Sequence, residues 1–153
     1  MSAQSDEQRQ PASASMSARP TGLVHVRNAA DAAELLRQRA TDFLTKATIE
    51  PSPIDASALR KAGATVNAIA VAMDRQGRDD TAAAAALMHL ARDYRETHQG
   101  DPRDPDSEDY QIVCGHLADT LAEVGTQLRQ AAAAELARAA RGQRYRHVIQ
   151  RNL

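Results

Sequence analysis

The feature that most constrains the fold is a row of apolar residues three and four apart: Val113, Leu117, Leu121, Val124, Leu128 and, more weakly, Leu136, with no certain helix break before Gly142. This is the period of an amphipathic helix. Asp104-Pro105 reads as its start. Asp106, Glu108 and Asp109 then put negative charge in its first turns, at the positive end of the helix dipole. At 1.5 Å per residue such a helix would span about 57 Å, roughly twice the ~30 Å expected of the helix before it. It must bend, with Gly125 the natural place and Gly115 a weaker second, or it must project.

Local punctuation predicts three shorter helices before it. Asn28 followed by Asp31 resembles a capping box and starts a helix over about 28–47, with Ala32, Leu35, Leu36, Phe43, Leu44 and Ala47 recurring at helical spacing. Ser52-Pro53-Ile54-Asp55 supplies a serine cap, a proline in the first turn and an acid after it. The second helix follows with the stripe Leu59, Ala62, Val66, Ile69 and Met73, and ends at Gly77. Asp79 or Asp80 caps a third, whose stripe of Ala83, Leu87, Leu90, Ala91 and Tyr94 runs to a stop at Gly100. Only Gly77 and Arg78 separate the second and third helices, which predicts an antiparallel hairpin between them.

The expected fold class is therefore all-α: an antiparallel bundle of about four helices with a long final helix. Residues 1–27, rich in Ser, Ala, Gln and Pro without apolar period, read as a disordered N-terminal arm. Residues 28–142 read as the bundle domain and 143–153 as a basic C-terminal tail. In that tail Tyr145, Val148, Ile149 and Leu153 could line one side of a short helix, or RYRHVI could pair as a strand with Leu23-Val24-His25-Val26. Both readings are open from the residues.

The core should be thin. Half of the hydrophobic residues are alanine, and Leu, Ile, Val and Phe together make up only a sixth of the chain. An alanine methyl stabilises far less on burial than a leucine side chain, at about 0.8 kcal/mol per CH₂. Self-association or a partner protein would supply what the core lacks.

Charge is segregated along the final helix. Between residues 101 and 123 there are seven acids and one arginine; from Val124 onward there are six arginines and one glutamate. This polarity suits the dipole at both ends and would favour antiparallel pairing of two copies, acid against base. The expected contact surfaces are the acids Asp104, Asp106, Glu108 and Asp109 and the basic residues Arg138, Arg141, Arg144, Arg146 and Arg151.

No catalytic set emerges. Cys114 and His116 fall on different faces of one helix, there is no glycine-rich phosphate loop, and the spacing of His89, Asp93, Cys114, His116 and Asp119 lacks the Glu-x-x-His pattern of carboxylate-bridged bundle sites. The cluster GDPRDPDSED is acidic but lacks calcium-loop spacing. No enzyme activity, cofactor or metal is expected.

Residues 62–90 resemble a helix-turn-helix in having two helices about a short turn. However, the second opens with Thr81 and five alanines, which cannot reach base edges, and Asp79 and Asp80 would face phosphates. The basic tail is the better candidate for nucleic acid.

One cysteine excludes an intramolecular disulfide, MSAQSDEQRQ is not a secretory leader, and the longest apolar run is too short to span a membrane. A cytoplasmic location is expected. The basic C-terminus and Ser-rich N-terminus are similar in composition to signals of some type IV and type III secretion substrates, so specialised bacterial export is an alternative. The leading expectation is a non-enzymatic helical protein-interaction module, an adaptor, chaperone-like protein or regulatory subunit that associates with itself. Nucleic-acid binding and a secretion role are the alternatives.

Overall fold

A computed structural model describes residues 24–97 and 107–151, and these form four helices: α1 (Ala29–Ile49), α2 (Pro53–Gln76), α3 (Asp80–Thr97) and α4 (Ser107–Arg151). Among the described residues there is no strand. The chain is an all-α bundle. The first 23 residues, the Gly100 stop, the Asp104-Pro105 start and Leu153 lie outside the described residues.

The expected caps form as local chemistry dictates. The Asn28 side chain accepts the Asp31 amide at 2.9 Å, while Asp31 accepts the Arg27 amide at 3.1 Å. Ser52 accepts the Asp55 amide, with Pro53 opening α2. Gly77 closes that helix in the left-handed conformation (φ 57°), and its amide donates to Met73 O at 3.2 Å. Asp79 caps α3 by accepting the Ala82 amide at 2.7 Å. Asp80 is not needed for that cap and reaches across to α1, where it accepts the Ala29 amide, also at 2.7 Å.

The packing order differs from the sequence expectation. α1 pairs with α2 and α3 with α4, whereas α2 and α3 scarcely touch. A three-residue connection allows adjacency but does not enforce it; the small-residue faces decide. At Gly63 on α2, an added Cβ would lie 3.0 Å from the Ala40 carbonyl oxygen and 3.1 Å from Leu44 Cγ on α1. At Gly125 on α4, it would lie 2.9 Å from Met88 Sδ and 3.1 Å from Leu87 Cβ on α3. Each glycine lets one pair of helices approach closely. Gly125 is therefore a packing position, not a bend.

α4 touches all three other helices and supplies the spine of the core. Leu117, Leu121, Val124 and Leu128 are buried against Leu35, Leu36, Val66 and Leu87, and most of the remaining buried positions are alanine. Val26, within the segment read as a disordered arm, is also part of this core, with Val24 packed partly against it. Two stripe residues do not join: Leu44 is half exposed at the edge of α1, and Leu136 is 65% exposed.

The reason for the second is length. α4 runs 45 residues without interruption through Gly115, Gly125 and Gly142. Its length is about 67 Å, against about 27 Å for α3. Its last buried side chain is Ala132. Beyond it the helix projects, and RYRHVI continues it instead of pairing as a strand with residues 24–26.

Candidate functional site

The projecting part of α4, residues 133–151, is a helix held by little besides its own backbone. Its sequence suits that condition, because alanine and arginine are among the strongest helix formers. Glu135 and Arg138 add an ion pair at 2.7 Å one turn apart. On its surface Leu136, Tyr145, Val148 and Ile149 are exposed by 65%, 69%, 55% and 42%.

The basic residues expected to act here are all on this arm. Besides Arg138, Arg146 reaches back from its Nε to the Gly142 carbonyl at 3.4 Å. Arg141, Arg144 and Arg151 are exposed and make no ion pair among the described residues.

The acidic half is arranged differently from the sequence reading. Asp104 and Asp106 lie outside the described residues, and Glu108 sits in the first turn of α4. Asp109 is not offered outward: one of its oxygens pairs with Lys61 on α2, and the other is buried without a hydrogen-bond partner among the described residues. Before the arm, the acids of this helix seen to be exposed are instead Asp119 and Glu123. Glu123 takes Arg39 of α1 at 2.5 Å, and this hydrogen bond raises the guanidinium above its ordinary value against the opposing effect of partial desolvation. Asp119 stands 3.7 Å from Arg95 of α3, with its side chain 85% exposed.

Two depressions lie end to end along the side of α4 that carries these acids. The first, about 280 Å³, is a cleft between α1 and α4 holding Arg39, Asp42, Phe43, His116, Asp119 and Glu123. The Phe43 and His116 rings meet there at 5.4 Å with a tilt of 56°. The second, about 680 Å³, sits at the base of the arm, where Gln127, Gln130 and Ala134 face His25 and Asp80. Helical steps from 123 to 127, 130 and 134 lead from one to the other, a trough walled by α1 at the cleft and by residues 25–28 and Asp80 at the base of the arm. A third depression, an apolar groove of about 590 Å³ with Ile69, Met73, Ala86 and Leu90, opens where α2 and α3 diverge.

The candidate reactive groups stay apart. Cys114 is fully buried; burial pushes its thiol above the ordinary value, while the hydrogen bond with Tyr110 acts in the opposite direction. His116 meets Phe43 at a tilt, and His89 lies at the surface 3.4 Å from Asp93. Among the described residues no three His, Cys, Asp or Glu side chains come together to hold a metal ion, and no helix is long and apolar enough to cross a membrane.

Comparison with protein-family models, with curated proteins and with solved structures found no match.

Proposed function

We propose that this protein is a non-enzymatic helical interaction module that associates with itself, and that the projecting arm of α4 is its working element. The observation that carries this reading is the arm: 19 residues of helix, 133–151, with Tyr145, Val148 and Ile149 exposed and nothing among the described residues to cover them. An isolated helix of this length is marginal in water. A second protein surface would stabilise it and cover its apolar groups. The alanine-rich core supports the same conclusion, since an interface adds burial that the monomer lacks.

The test is mass in solution against concentration, for the full chain and for a chain ending at Ala134. The full chain should pass from monomer to dimer as concentration rises. The shortened chain should stay monomeric with its melting temperature unchanged at low concentration. A full chain that is monomeric at every concentration would remove the reading.

The unpaired Arg141, Arg144 and Arg151 favour one other reading, contact with nucleic acid. It would appear as binding that falls steeply with salt, through counterion release, and that is lost with the arm.

A further inference from the structure

Resting on that reading, we propose a specific interface: α4 of one copy lies antiparallel along α4 of a second, about a two-fold axis beside residue 132, with each arm seated in the other's trough. The axis follows from the spacing of one row of residues. Along this side of α4 the steps from His116 to Val148 are three, four, four, three, four, three, four, four and three. Their mean is about 3.6, so the row follows one side of a straight helix. The order of steps is the same read from either end. An antiparallel copy therefore sets the row against itself, residue for residue: His116 opposite Val148, Asp119 opposite Tyr145, Glu123 opposite Arg141, Gln130 opposite Ala134. A two-fold interface needs this self-complementarity.

Chemistry agrees with the register at the axis and at the cleft. At the axis, Gln130 and Ala134 are exposed and lie in the larger depression, so the second helix has room to cross there. Toward each end, the arm residues Arg141, Arg144 and Tyr145 arrive over the cleft between α1 and α4. Its side chains include three carboxylates, Asp42, Asp119 and Glu123, together with Arg39 and Lys46, and Arg95 of α3 stands 3.7 Å from Asp119. Beside them are the Phe43 and His116 rings. Carboxylates beside aromatic rings suit an arginine or a tyrosine, the first by charge-assisted hydrogen bonds and stacking, the second by its ring. The alternative of arm against arm alone would set five arginines against five, with one glutamate on each side. Repulsion disfavours it.

Charge exchange between the two positions tests the register. Arg141→Glu lies on the exposed arm, so the bundle still folds, and it should weaken dimerisation by about tenfold, as should Glu123→Arg. A one-to-one mixture of the two variants should recover a dimer at close to wild-type affinity, because the carboxylate introduced on one chain then meets the guanidinium introduced on the other. In a chain carrying Glu123→Cys mixed with one carrying Arg141→Cys, oxidation should give the mixed disulfide. Glu123→Cys mixed with Leu136→Cys should not. If the wild-type chain dimerises but the mixture is not restored, or the mixed disulfide fails to form, the register is overturned while self-association stands. If the wild-type chain never dimerises, both fall together.

Discussion

Asp80, in the first turn of α3, accepts the Ala29 amide of α1 at 2.7 Å, a bond that joins two helix N-termini 51 residues apart. Amides in a first helical turn have no acceptor within their own helix, and the dipole makes that end positive. One carboxylate answers both helices, and it does so beside the trough at the base of the arm. Its neighbour Asp79 serves only its own helix. Asp80→Ala should therefore cost about 1.5–3 kcal/mol, the range for hydrogen bonds to charged groups, and Asp79→Ala about 1 kcal/mol, as for a lost cap. Urea denaturation separates the two. Equal losses would mean that the long-range bond adds nothing beyond capping.

Gly125 and Gly142 lie in the same helix and should respond to alanine with opposite signs. At Gly125 the new methyl would meet Leu87 Cβ at 3.1 Å, so the gain in helix propensity of about 1 kcal/mol should be outweighed by an overpacking cost of about 1–3 kcal/mol. At Gly142 the nearest atom is the tip of Arg146, 3.9 Å away, so the substitution should raise arm helicity by about 1 kcal/mol with nothing opposing it. Thermal unfolding reads the first and helical circular dichroism the second. A stabilised Gly125→Ala chain would show that α3 and α4 can move apart freely.

Leu128 and Leu136 mark where α4 leaves the core. Leu128→Ala should destabilise by about 2–5 kcal/mol, whereas Leu136→Ala should stay within about 0.5 kcal/mol in a monomer at low concentration. A large loss from Leu136→Ala under those conditions would indicate that the arm folds back on its own bundle.

Alkaline pH should weaken the fold through Cys114 and Tyr110. Burial raises the Cys114 thiol above its ordinary 9.0, and proximity to Cys114, with a hydrogen bond and desolvation, raises Tyr110 above 10.0. For a group whose folded value is raised, stability is fully present below the unfolded value and is lost as pH rises through the folded one. Stability measured from about pH 8 upward should then decline beginning near pH 9, and Cys114→Ala should flatten the first part of that decline. An unchanged slope would assign the effect to other groups.

The helices were legible because their signals are local. Asn28, Ser52-Pro53 and Gly77 each act on amides or carbonyls within a few residues, and the sequence carries both partners. The pairing of the helices was not. It rests on whether a methyl fits at Gly63 and Gly125, which depends on atoms of other helices, so the short link at Gly77 and Arg78 suggested a hairpin that the packing does not make. The arm's arginines could be read directly, since among the described residues their partners, Glu135 and the Gly142 carbonyl, lie on the arm itself. The acids could not: Asp109 is taken up by Lys61, 48 positions away. The cleft, likewise, needs Phe43 and His116 from separate helices. A helical row that reads the same from both ends was present in the residues all along, but it acquires meaning only once the helix is known to be uninterrupted and that side to be open.

Because α4 is one uninterrupted rod, its tip and the core share a common angular phase. Each residue turns the helix by about 100°, so a single residue inserted between Ala132 and Arg138 would leave the bundle intact and swing Arg141, Tyr145 and Val148 about a third of a turn away from their present bearing. Inserting eleven residues, close to three whole turns, would return them to that bearing about 16 Å farther out. The protein thus sets direction and reach independently, one by the phase of the helix and the other by its length, and whatever grips the arm fixes the orientation of the whole bundle with it.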